Sequence, residues 1–125
     1  MKRVFALKLL LLFVSMMVSF NSLQSAFIKD WPQDIKQPDG TVRHCFTSGD
    51  EFYSWLHDKD GFTILQNETS GWYVYADKIN GRLVTTGLKV GINNPQEKGL
   101  TKGLITDRSI IEKDSEPFIK TRQSQ

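Results

Sequence analysis

The stretch GDEFYSWLHDKDGFTILQNETSGWYVYAD, residues 49–77, decides how this chain folds. It carries seven of the fourteen Phe, Trp and Tyr residues of the sequence, namely Phe52, Tyr53, Trp55, Phe62, Trp72, Tyr73 and Tyr75. Its apolar, β-prone residues come in three bursts, separated by Asp58-Lys59-Asp60-Gly61 and by Asn67-Glu68-Thr69-Ser70-Gly71. Those separators are turn chemistry, because Gly accepts positive φ and Asp or Asn bonds back to the local backbone. Three strands of a meander are the economical reading. Side chains alternate along a strand, so Phe52 and Leu56 face away from Tyr53 and Trp55, and Trp72 and Val74 face away from Tyr73 and Tyr75. Both faces are therefore apolar. A sheet of that kind needs a cover on each side, from the chain's own flanks or from another polypeptide.

Working outward, the pattern predicts a mainly β protein: a small antiparallel meander of about five strands, near 41–47, 50–57, 61–66, 71–76 and 82–90, with a weakly helical C-terminal tail. Gln37-Pro38-Asp39-Gly40 reads as a turn before the first strand. Asn80-Gly81 is a strong hairpin signal, and Gly87 marks a bulge or bend in the last strand. Residues 27–34, with Pro32 excluding a helix interior, are expected to lie over one sheet face with Trp31 as the anchor. Trp55 and Trp72 are expected to dominate the packing, with Trp72→Ala costing about 3–5 kcal/mol. Beyond residue 92 the chain reads as a linker and then a weak helix over Leu100–Lys113, capped at Thr106-Asp107 or at Ser109 with Glu112 three residues on, and ended by Pro117.

At 125 residues there is room for one domain. The first 26 residues have the layout of a secretory signal peptide: a basic start at Lys2 and Arg3, an almost wholly apolar run over residues 4–18, then small and polar residues. The cleavage point falls between Ser22 and Ala26. The competing reading is an uncleaved N-terminal anchor, which the shortness of the apolar run disfavours. Domain limits follow as residues 1–26 signal, 27–92 β domain, and 93–125 linker and helical tail. The whole chain has formal net charge +2, but three of its sixteen Lys and Arg lie in the signal, leaving thirteen against fourteen acidic residues. The mature part is thus close to neutral. That removes any argument for a nucleic-acid partner, which needs a clustered cationic face, and signal cleavage leaves no membrane segment.

Motifs for chemistry are few. Two histidines, His44 and His57, stand in no HExxH pattern, and neither a Gly-rich phosphate loop nor GxSxG occurs. No catalytic residue and no cofactor is expected. Cys45 is the single cysteine, so three readings stay open: a small buried hydrophobe, a free thiol, or a metal ligand beside His44. In the sharpest of these Cys45 reaches the zinc of a partner protease and displaces its water. Asp58-Lys59-Asp60-Gly61 opens like a calcium loop but lacks the closing ligands, so a β-turn is favoured. Asn67-Glu68-Thr69 matches a glycosylation sequon on a turn. Tyr53, Trp55, Tyr73 and Tyr75 are the candidate partner-binding residues.

Taken together, QPDGT (37–41), SGDEFYSWLHDKDGFTI (48–64), GWYVYAD (71–77) and GRLVTTGLKVG (81–91) resemble, in order and spacing, the N-terminal propeptide-like region of secreted zinc metalloproteases of the immune inhibitor A family. The resemblance implies a secreted, non-catalytic pro-region that packs on a metalloprotease catalytic domain, in cis or in trans, to assist its folding or mask its cleft. No HExxH follows here, so proteolysis carries over to no residue, and HCFTSGDE (44–51) departs from the pattern. A domain drawn from Trp31 to Ile92 is only about 60 residues, a size at which a partner relieves marginal stability. The rival reading is a stand-alone extracellular module that binds a protein or glycan through exposed aromatics.

Overall fold

The computed structural model describes residues 2–9, which are helical, and residues 26–124. Residues 1, 10–25 and 125 lie outside that description, and with them most of the segment read above as a signal peptide. Among the described residues no helix is long and apolar enough to cross a membrane. Six strands follow in chain order: β1 (Ile28–Lys36), β2 (Val42–Gly49), β3 (Ser54–His57), β4 (Thr63–Gln66), β5 (Tyr73–Ile79) and β6 (Arg82–Lys89). They form one antiparallel sheet in which every strand lies beside its sequence neighbours. The meander is mainly β as the alternation implies, and one strand larger.

The extra strand is β1, the segment expected to cover a sheet face. It instead pairs along β2, from Trp31 opposite Thr47 to Lys36 opposite Val42. Pro32 is tolerated because an edge strand leaves one row of N–H positions outside any ladder. Trp31 anchors nothing: it is 65% exposed. The pairing is interrupted between Ile28 and Trp31, where Asp30 adopts φ 51°. At the other edge the register slips between Val74 and Ala76, whose partners are Lys89 and Thr85, so the surplus residues on β6 centre on Gly87. The Asn80-Gly81 hairpin has both residues at positive φ, as a tight I′ turn needs.

The core lies on one face and is built from Ile35, Cys45, Phe62, Ile64, Tyr75 and Val90, with Leu56, Tyr73, Leu88 and Leu100 against it. Trp55 and Trp72 are only half-buried. The expectation that they dominate packing is thus corrected: short aliphatics and two core-facing rings occupy the interior, while Trp72 carries the Lys89 Nζ 4.1 Å above its ring at the surface. Gln37 closes this core. Its buried amide donates to the carbonyls of Tyr73 (2.9 Å) and Val90 (3.0 Å) and accepts from Tyr73 N–H (2.8 Å), taking the place of a strand residue between chain ends far apart in sequence.

Residues 93–107, read as linker and early helix, pack on the sheet instead. Gly99 and Gly103 sit at φ 74° and 70°, a conformation that breaks a helix. A strap then crosses the face opposite the core: Gly103 N–H bonds to Gly61 O, Thr63 Oγ1 donates to Leu104 O, Thr106 N–H bonds to the Tyr53 hydroxyl, and Asp107 N–H bonds to Gly81 O. The helix follows at Arg108–Gln123 and runs through Pro117 rather than stopping before it. Its N-cap Asp107 makes no side-chain cap, because its carboxylate is held by Lys78 Nζ at 2.8 Å. No residue of this helix is buried.

Candidate functional site

The sequence that makes the second sheet face apolar also makes an aromatic row. Trp55 stacks near Tyr53 (centroids 6.1 Å) and meets Phe27 at 6.3 Å, while His57 lies between Trp55 and Phe46. Strap and helix cover only part of this row. Two hollows of about 450 and 330 Å³ remain between sheet and helix, sharing a wall of Phe52, Tyr53, Ile111 and Ser115. Phe118 edges the larger one, and Phe27, Trp55 and Ile119 edge the smaller. Phe27, Phe52 and Phe118 remain 61%, 47% and 74% exposed.

Asp50 sets the rim. Its Oδ1 accepts from the N–H groups of Phe52 (2.8 Å) and Tyr53 (3.0 Å), folding residues 50–53 into a side-chain-closed turn before β3. This is why β3 begins at Ser54 and not at residue 50. Those N–H groups, Tyr53's first, hold the Asp50 carboxyl below its ordinary value. The helix wall is tied on by Arg82 to Asp114 (3.0 Å) and Arg122 to Glu51 (3.6 Å), both exposed pairs.

Of the four aromatics expected to meet a partner, Tyr53 and Trp55 line these hollows. Tyr73 and Tyr75 belong to the opposite face. Tyr73 is half-buried against the core, and Tyr75 is 5% exposed with its hydroxyl 3.2 Å from Asp58 Oδ2. Burial and the Asp58 carboxylate push the Tyr75 phenol up. Tyr75 is therefore a core residue and cannot be presented to a partner. Phe27, Phe52 and Phe118 complete the surface, and sequence reasoning assigned them no role. Strand alternation puts Phe52 on the face away from Tyr53 and Trp55, and the 50–53 turn overturns that by bringing all three to one hollow.

Cys45 is 1% exposed, and its thiol donates to the Gln33 carbonyl at 3.1 Å. Burial, with a smaller effect from Asp34, pushes it up to about 11. A neutral, enclosed thiol does not reach another protein's zinc, so of the three readings the small buried hydrophobe describes Cys45. His44 points away from it, outward to Asp34. Among the described residues no group of three or more His, Cys, Asp or Glu is placed to hold a metal. The Asp58 turn is closed by its own carboxylate, which accepts from Asp60 and Phe62 N–H.

One polar cluster was not foreseen. Ser48 and His57 are buried side by side, with Oγ to Nε2 2.8 Å. His57 Nδ1 lies 2.8 Å from the Asp58 carbonyl, which only accepts, so in the neutral ring Nδ1 carries the proton and Nε2 accepts from Ser48. Ser48 Oγ in turn accepts from Asp30 N–H at 3.0 Å. A nucleophile relay needs the carboxylate on the ring nitrogen remote from the serine. Here Asp30 Oδ1 stands 3.4 Å from the same Nε2. The arrangement fixes the β1 bulge rather than activating Ser48. The hollows beside Tyr53 and Trp55 remain the candidate site, and no protein-family model, curated protein or solved structure matches this chain.

Proposed function

We propose that this chain is a secreted, non-catalytic pro-region-like module that packs on a zinc metalloprotease domain through the aromatic hollows, assisting its folding or masking its cleft. The observation that supports this most is the incompletely covered second face. Phe27, Phe52 and Phe118 are large apolar residues around half exposed or more, and they are grouped about two concavities rather than scattered. Apolar surface so grouped is a common mark of a protein-binding site. The four-fragment resemblance to the leader region of immune inhibitor A proteases supplies the class of partner.

The test is to refold an immune inhibitor A-type catalytic domain with and without this chain, and to titrate the chain into the active enzyme while following peptide hydrolysis. A higher refolding yield, or saturable inhibition, is expected. Phe52→Ala with Trp55→Ala should weaken either effect, since truncating interface aromatics often costs about 2 kcal/mol or more. No effect on either readout would overturn the proposal. Trp31, 65% exposed on β1 away from the hollows, favours a second reading, a stand-alone module that engages a glycan or protein surface. Glycan-array binding lost on Trp31→Ala, with no effect on the protease, would establish that reading.

A further inference from the structure

We propose that Arg43 and the cleft beside it form a seat for a carboxylate carried by an acidic side chain of a partner polypeptide. Arg43 lies on β2 opposite Ile35, at the end of the core face. Its Nε is buried and has no hydrogen-bond partner. No carboxylate of the described residues lies within ion-pair distance of its guanidinium. Gly91, at φ 85°, holds the group in place: a Cβ there would collide with Arg43 Nε. The guanidinium therefore rests against bare backbone.

The cleft it lines, about 680 Å³, is also lined by Asn93 and Asn94. Asn93 Oδ1 accepts from Lys89 N–H and Asn94 Oδ1 accepts from Gln96 N–H. Those bonds commit both amide oxygens to the local backbone, which leaves the NH₂ groups as the donors these side chains have to offer a ligand. A planar fork with amide donors beside it matches the two oxygens of a carboxylate. Two carboxylates share the cleft. Asp58 is engaged by Tyr75 and by its own turn, while Asp60 stands beside Lys59 on the rim. They offset the charges of Arg43 and Lys59, so a multiply charged anion is disfavoured more strongly than a single carboxylate. Val42 and Ile92, 52% and 61% exposed, flank the opening. A small anion would leave them in water, whereas a polypeptide would cover them.

This seat is apart from the aromatic hollows and does not depend on the protease reading. The test follows the Arg43 Nε–H and the Asn93 and Asn94 NH₂ signals by NMR in the full chain. The probes are acetyl-Ala-Glu-Ala-amide, its Gln counterpart, and sulfate. The Glu peptide should shift these signals saturably and the Gln peptide should not. Arg43→Gln should weaken binding about tenfold or more, the size of a lost charge-assisted bond. Arg43→Lys, which keeps the charge but not the fork, should weaken it as well. If Arg43→Gln fails to fold, the lysine variant decides the matter. Equal shifts by the Gln peptide, saturation by sulfate as tight as by the Glu peptide, or undiminished binding by Arg43→Lys would each overturn the assignment.

Discussion

Tyr75 and Phe118 are rings of similar size in one small protein, yet Tyr75 is 5% exposed and Phe118 is 74% exposed. The difference separates two regions. In the sheet, apolar side chains are enclosed and the buried polar groups around them are paired, as Gln37, Thr63 and His57 illustrate, with Arg43 Nε the exception among the described residues. In the C-terminal helix nothing is buried, and the ties to the sheet are exposed ion pairs. Burial makes a region cooperative with the whole fold, whereas exposed pairs each contribute only about 0–1 kcal/mol. The helix should therefore open alone, at a free energy below that of global unfolding.

The most direct way to break this contrast is at Ile64, 2% exposed in the middle of the core. Ile64→Ala should destabilise by about 2–5 kcal/mol, and a urea melt with an unchanged midpoint would show that the core is elsewhere. Gln37→Ala comes next. It strips the Gln37 partner from Tyr73 N–H and from the Val90 carbonyl, while the Tyr73 carbonyl keeps the Val90 N–H, and an orphaned buried group costs about 1–3 kcal/mol; we expect a total of about 3 kcal/mol, read from the same melts. Pro117→Ala sharpens the contrast from the other side. Proline inside a helix is about 3 kcal/mol worse than alanine, yet the gain should appear as slower hydrogen exchange over residues 113–121 and hardly at all in the melting midpoint. Arg82→Ala should move the midpoint by less than about 1 kcal/mol while speeding exchange in the helix. A large global loss in that variant would mean the helix is part of the cooperative unit.

The smallest effect concerns Asp50. Its folded-state carboxyl is held low, so its contribution is complete above its unfolded value of about 3.9 and disappears as pH falls through the lowered one. The Phe52 and Tyr53 amide signals should move with that titration, and Asp50→Asn should flatten it. Signals that titrate unchanged in the variant would remove Asp50 from the rim.

Much of the sheet was legible because its punctuation is local. Asn80-Gly81, Gly87 and the Asp58 turn each act within a few residues, and each is where the spacing puts it. The edge strand was not legible, because Pro32 and the exposed Trp31 disguise a run whose inward-facing Ile35 is its one buried hydrophobe. Nor were the helix limits. What ends the strap and starts the helix is the contact of Asp107 with Lys78 and Gly81, partners 29 and 26 positions away that no local pattern encodes. The candidate site was half legible for the same reason. Tyr53 and Trp55 follow from alternation, but Tyr75 shares their chemistry and differs only in which face closes. That decision is made by Gln37 and the loop after β6.

Gln37 also bears on the order of events when the chain folds. Every strand pairs with its sequence neighbour, so each ladder can form from residues already at hand, without waiting for a distant segment. On the core face the Gln37 amide departs from this, as the strap does on the other, since Tyr73 and Val90 lie 36 and 53 residues further on. Bringing those ends together carries a loop-closure entropy that none of the hairpins does. Substitutions at Gln37 should accordingly leave the folding rate nearly intact and accelerate unfolding, the kinetic mark of a contact made after the barrier. In that sense the amide is a latch: it sets how long the folded sheet lasts more than how fast it forms.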